Sequence, residues 1–475
     1  MEEFSTMYFQ QYYLSCLAHA SYLIGSEGKA AVVDPQRDVG LYLEEAEKEG
    51  LAIEWVIETH LHADFVSGHR ELAERTGATI VVGRRASVGF PHRAVADGDE
   101  IALGSCRLKF LETPGHTPEG ISVVVTDLSR SSVPEAVLTG DTLFIGDVGR
   151  PDLSNEFTPQ ELAGMLYESL HGKLLALPDS VEIYPAHGAG SLCGKNISSE
   201  KKSTIGREKA FNYALKEMPK DAFVSMMTEG LPPRPKYFAL DAEINRLGAS
   251  PLDALPPLLP LSPEAVEKEI ASGALVLDTR SAEAFGRAHV PGSLHIGLSG
   301  QFAAWAGTIL GLAERLVVVA EDPRRAQEAR TRLARVGIEN VAGFLEGGVE
   351  AWSASGRPIG QVEQIDAATL EARLSSDAPP LVLDVRRPAE WDAGRIAGAR
   401  LLPLSTFSEE ASTSKDVLAA PALAVQCRSG YRSSIASSLL LRAGARRVAN
   451  VTGGLDAWEK AGLPIERDAA VVAPS

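Results

Sequence analysis

The chain has 475 residues, too many for one hydrophobic core, so roughly two to four domains are expected. With 45% hydrophobic and 23% charged residues, it is neither a disordered nor a fibrous chain. A formal net charge of -17 argues against nucleic acid and anionic membrane surfaces as main partners, and leaves any bound anion to local groups.

Residues 1–4 are acidic and lack the basic and apolar regions of a signal peptide. The apolar runs are short and broken, so no membrane span is expected. Four cysteines, Cys16, Cys106, Cys193 and Cys427, show no paired spacing, which reads as a reducing compartment and a cytoplasmic location. Short apolar strands are expected at 31–33, 55–57, 79–82, 121–125 and 181–184, and a helix over 63–76, in a layered sheet-and-helix domain. A Pro-rich stretch follows, from Pro232, Pro233 and Pro235 to Pro256, Pro257 and Pro260, and reads as a linker or wrapping arm. Beyond it the sequence repeats. Val276-Leu277-Asp278-Thr279-Arg280 recurs 106 residues later as Val382-Leu383-Asp384-Val385-Arg386, and Gly347-Gly348 and Trp352 recur at the same offset as Gly453-Gly454 and Trp458. Two α/β units with parallel sheets are expected.

Ligand-type residues gather at strand exits in the first domain. They are His60, His62 and Asp64 in Thr59-His60-Leu61-His62-Ala63-Asp64-Phe65, then His116 in Pro114-Gly115-His116, Asp141 in Gly140-Asp141, and His187 in Ala186-His187-Gly188. A lone histidine at a strand exit is more often structural. A set of six such residues, four of them histidines, in a chain with ten histidines points to a metal.

The ordered motifs HxHxD, GH, GD and AHG resemble the metallo-β-lactamase superfamily over about residues 8–215. The resemblance implies an αββα sandwich with a metal site at one edge. Dinuclear hydrolases of that superfamily carry a further histidine where this chain has Phe65, and a phenyl ring offers no lone pair. The superfamily's persulfide dioxygenases instead hold one Fe(II) per chain, by residues that match His60, His116 and Asp141 here. Such a set leaves positions open for O2 and a substrate sulfur. His62, Asp64 and His187 would then orient ligands and water. The stretch from Gly140 to Leu153 resembles persulfide dioxygenases and implies that Arg150 binds a carboxylate of a low-molecular-weight thiol; a bridge from Arg150 to Asp152 or Asp147 is the alternative. Gly188 follows His187 where glutathione-using relatives have a tyrosine, so the thiol carrier stays open. Cys193 either lies near the iron as a substrate contact or is a small buried hydrophobe.

In the second repeat, a strand over 422–426 leads into Cys427-Arg428-Ser429-Gly430-Tyr431-Arg432 and a helix from Ser433. Backbone N–H groups, a helix N-terminus, Arg428 and Arg432 would stabilise an anionic sulfur on Cys427. The Asp-x-Arg strand, this loop and Gly-Gly-x-x-x-Trp resemble the rhodanese family. That implies sulfane sulfur transfer with a persulfide-forming nucleophile at Cys427. The same position in the first repeat is Glu321, so that unit lacks the nucleophile. The expected layout is a persulfide dioxygenase domain with its arm over 1–250, an inactive rhodanese-like unit over 256–358 and a sulfurtransferase over 362–467. Persulfide, O2 and thiosulfate or sulfite are the expected partners, in a homo-oligomer. The competing readings are a thioester hydrolase of the glyoxalase II kind and a sulfur carrier with a vestigial metal domain.

Overall fold

The computed structural model describes residues 7–231, 233–407 and 415–467; residues 1–4 and Pro232 of the sequence reading lie outside these. The chain forms two compact units, Met1–Pro256 with Ala334–Gly337, and Pro257–Leu333 with Ile338–Ser475.

The first unit is built on two six-stranded sheets. One runs in the order Tyr8–Leu14, His19–Ser26, Lys29–Val33, Ala52–Ile57, Thr79–Gly83 and Arg93–Val95. The other runs Ser203–Thr204, Glu182–Pro185, Ala136–Gly140, Ile121–Asp127, Cys106–Glu112 and Glu100–Leu103. Their inner faces meet through Tyr22, Ile24, Val33, Ile57, Leu108, Phe110, Val123, Val125 and Leu138. The outer faces are apolar too, so each must be covered. Val32 and Val56 pack with Tyr42 and Leu72 of helices Gly40–Lys48 and His69–Thr76. Val124 and Val137 pack with Leu166 and Leu170 of helix Pro159–Gly172, whose start is fixed by a capping box between Thr158 and Glu161. This is the αββα sandwich.

The helix expected over 63–76 begins only at His69. Residues 63–68 form a loop because their backbone groups are bonded elsewhere. Asn245 Nδ2 donates to the carbonyls of His62 and Phe65, both at 2.7 Å, and Asn245 Oδ1 accepts from Ser67 N–H at 2.8 Å. Asn245 lies on helix Phe238–Leu247, inside the stretch read from its prolines as a linker or wrapping arm. That stretch is therefore folded against the metal-side loop.

In the second unit each repeat builds a five-stranded parallel sheet of the same order. The equivalence reaches single bonds. Arg280 and Arg386 pair with Asp278 and Asp384 at 2.6 Å, and the indole N–H of Trp352 and Trp458 donates to Pro358 and Pro464 at 2.8 and 2.9 Å. Among the described residues no helix is long and apolar enough to cross a membrane.

Candidate metal centre and sulfur loop

His60 follows strand Ala52–Ile57, His116 follows Cys106–Glu112, and Asp141 follows Ala136–Gly140. The strand ends bring these three buried residues together, with one ligand atom from each within 4.8 Å of the others. Their hydrogen bonds fix which ring nitrogen is free. His116 Nδ1 lies 3.0 Å from the carbonyl oxygen of Arg150, which can only accept, so Nδ1 carries the proton and Nε2 the lone pair. Thr59 Oγ1 donates to Asp34 Oδ2 at 2.8 Å, so it accepts from His60 Nδ1 at 2.9 Å, and His60 Nε2 is left free as well. Both Nε2 atoms face Asp141 Oδ2, at 3.8 Å from His60 and 3.3 Å from His116. Burial pushes both imidazoles below their usual range, which keeps them neutral. Two neutral nitrogens and one carboxylate, buried and convergent, fit a divalent metal ion. The side chains that line the site beside them, Thr113, Thr117 and Thr142 among them, are uncharged.

The remaining expected residues lie behind this trio. His187 Nδ1 is 2.7 Å from Asp141 Oδ1 and its Nε2 is 2.8 Å from Asp64 Oδ2. Burial opposes a charge on His187, but the two carboxylates outweigh it and hold the imidazole well above its usual value. The two carboxylates thus bracket the His187 ring. His62 turns to Asp34, with Nε2 3.2 Å from Oδ1. The Phe65 ring, fully buried, packs 4.4 Å from that of His62 and 4.0 Å from that of His19. His62, Asp64 and His187 nonetheless form a second group with ligand atoms within 4.8 Å. Phe65→His adds a donor to that group, so the variant should take up a second ion that wild type releases on dialysis. A wild type that already retains two ions through dialysis would contradict this use of Phe65.

Arg150 is buried, with Nε and Nη2 on the two oxygens of Asp152 at 2.7 and 2.9 Å. An internal carboxylate thus takes the fork that the sequence reading offered to a substrate. The Arg150 backbone serves the site directly, since its carbonyl orients His116 and its N–H donates to the Cys193 carbonyl at 2.9 Å. Cys193 is buried beside Asp141 and His187, with ligand atoms within 4.8 Å, and burial, then Asp64 and Asp141, push its thiol well up. Asn245 and Asp34 were not expected from the sequence. Neither stands in a metal motif, and both act across long sequence separations.

In the second repeat Cys427 follows strand Leu423–Gln426, and Gly430 N–H donates to its Sγ at 3.2 Å just before helix Tyr431–Arg442. The Gly-Gly motif closes the loop from the other side. Leu455 N–H and Asp456 N–H donate to the carbonyls of Cys427 and Arg428 at 2.8 and 3.0 Å. A Cβ at Gly454 would stand 2.2 Å from the Cys427 carbonyl oxygen, so only glycine permits that approach. Arg428 pairs with Asp456 at 2.9 Å and Arg432 with Glu390 at 2.7 and 2.8 Å, so both loop arginines have carboxylate partners. In the first repeat the matching loop is exposed at Glu321, and Asp322 Oδ1 accepts from Arg325 N–H at 2.8 Å, an ordinary helix cap.

Burial alone would raise the Glu390 carboxyl, but Arg432 holds it down to about 2. That is below the unfolded value of about 4.3, so the pair stabilises fully above that pH and its contribution fades as pH falls toward 2. Glu390→Gln should lower stability at neutral pH and flatten the acid limb of unfolding below about pH 4. Denaturant melts across pH check this, and an unchanged acid limb contradicts it.

Comparison with known proteins covers both units. The metallo-beta-lactamase superfamily profile matches residues 14–187, and the rhodanese-like domain profile matches 262–355 and 366–461. The mitochondrial persulfide dioxygenase ETHE1 of Bos taurus is 31% identical over 234 residues, 47% of this chain and 83% of that protein. A "probable metallo-hydrolase" of Burkholderia pseudomallei is 33% identical over 203 residues, 38% of this chain and 66% of that protein. A metallo-beta-lactamase from Staphylococcus aureus superposes with a TM-score of 0.65 at 32% identity, covering 72% of this chain and 99% of the other. This chain belongs to the metallo-beta-lactamase superfamily, as a homologue of the ETHE1 persulfide dioxygenases that carries two rhodanese-like domains.

Proposed function

We propose that the first domain is an Fe(II)-dependent persulfide dioxygenase and that Cys427 carries sulfane sulfur as a rhodanese. The observation that carries the first part is the convergence of His60 and His116, each with its Nε2 lone pair freed, on Asp141. These three side chains would hold one iron, which when bound supplies coordination positions for O2 and a thiolate-like sulfur. The overall reaction is R–S–S⁻ + O2 + H2O → R–SH + SO3²⁻ + H⁺. Around it the protein sets the geometry. Thr59 and the Arg150 carbonyl keep the histidines in one tautomer, and His187 orients Asp141. The donor set is buried, and Thr113, Thr117 and Thr142 beside it would offer the sulfur end of the substrate no fixed charge.

At Cys427 the thiolate would attack the outer sulfur of thiosulfate: Cys–S⁻ + S2O3²⁻ → Cys–S–S⁻ + SO3²⁻. A small thiolate then takes that sulfur and restores Cys–S⁻. The Gly430 N–H and the helix that follows stabilise the anionic sulfur in between.

The His62, Asp64 and His187 group favours a second reading, a dinuclear thioester hydrolase. Oxygen-electrode assays with persulfides of glutathione, coenzyme A and cysteine, beside thioester hydrolysis on the same preparation, separate the two. Oxygen uptake with at least one persulfide and sulfite as product is expected. Fast thioester hydrolysis without oxygen uptake would remove the dioxygenase.

A further inference from the structure

The first rhodanese-like repeat has no nucleophile, yet it is bonded to the element that serves the nucleophile of the second. Its strand Leu294–His295 lies along helix Tyr431–Arg442, which starts where the Cys427 loop ends. His295 is fully buried and its Nε2–H donates to the Arg280 carbonyl at 2.9 Å, so its Nδ1 accepts from Ser434 Oγ at 2.9 Å. The His295 N–H donates to Ser438 Oγ at 3.0 Å. Tyr431 OH donates to the Gly297 carbonyl at 2.8 Å, and the Tyr431 ring lies over Gly300, where a Cβ would stand 3.1 Å from its Cζ.

These anchors interleave with the groups that touch sulfur. Gly430 N–H reaches Cys427 Sγ at 3.2 Å and Ser433 Oγ lies 3.5 Å from it, while Tyr431 and Ser434 are held by the first repeat. A helix start pinned between two such sets cannot slide along the sulfur without breaking buried hydrogen bonds. Stabilisation of a developing charge depends on donors held in place beforehand, and a displacement of about 1 Å costs about a hundredfold.

We infer that the first repeat is the positioning element of the sulfur loop, and that it acts through Tyr431 and the His295–Ser434 bond. Tyr431 is then a positioning residue for transfer at Cys427. This inference rests on the sulfur-transfer reading of Cys427.

The sharpest test places the perturbation in the repeat that has no chemistry. Gly300 has φ +125°, where an L side chain is strained, and Gly300→Ala pushes a methyl group against the Tyr431 ring. In the full chain, kcat for thiosulfate-to-thiol transfer should fall about tenfold, with KM for thiosulfate within about twofold of wild type. Tyr431→Ala should match it, and Tyr431→Phe, which keeps the ring, should return to within about threefold of wild type. A purely structural role would lower the melting temperature and leave kcat of the folded protein alone. Wild-type kcat in both Gly300→Ala and Tyr431→Ala would overturn the inference. Absence of transfer in wild type would overturn the Cys427 reading and this inference with it.

Discussion

His116→Ala and Asp141→Ala should each yield a folded chain that neither retains iron nor consumes oxygen with a persulfide. The expected loss exceeds the roughly 10–100-fold that follows when only a ligand's hydrogen-bond partner is removed. That smaller loss is expected for Thr59→Val, because it removes no ligand, only the oxygen that accepts from His60 Nδ1 and donates to Asp34. The order of effects tests the assignment more strictly than one inactive variant does. Metal analysis and oxygen uptake on the three variants give that order. A Thr59→Val chain as inert as His116→Ala, or a His116→Ala chain with iron and activity, would contradict it.

Cys427→Ser should abolish thiosulfate-to-thiol sulfur exchange and leave oxygen uptake with a supplied persulfide near the wild-type rate. The serine hydroxyl keeps a hydrogen-bonding group for Gly430 N–H, so the loop should survive while the nucleophile does not. Among the described residues no other cysteine lies in either repeat, so no neighbour can take over the sulfur. Glu321→Ala, at the matching place in the first repeat, should change neither activity. Loss of oxygen uptake in folded Cys427→Ser would mean that the second repeat must feed the iron site. Exchange that survives the change would remove Cys427 from the mechanism.

The grouping of His60, His116 and Asp141 was legible because each stands at a strand exit within a short motif, and strand exits of one sandwich edge converge. The duplication was legible because Asp-x-Arg, Gly-Gly and Trp recur at one offset, and the structure repeats even the Asp–Arg pair and the Trp indole bond. Contacts between distant segments were not legible. Residues 63–76 read as a helix, but the first six are held in a loop by Asn245, far along the chain. Proline density suggested a linker, although proline forbids helix interiors without forbidding the helix between two prolines, and Phe238–Leu247 is such a helix. For Arg150 the sequence offered a substrate carboxylate or a bridge to Asp152 or Asp147, and the structure shows the bridge to Asp152. The meeting of Tyr431 with Gly297 joins two repeats that the sequence only showed to be alike.

The proposed enzyme holds one iron in the first domain, by His60, His116 and Asp141, and uses it on persulfides. Metal content and oxygen uptake, measured on one preparation of the full chain dialysed against buffer, test it most directly. About one iron per chain, with oxygen consumption that scales with iron content across partly loaded samples, is the expected result. Two zinc ions per chain with strong thioester hydrolysis and no oxygen uptake would contradict it.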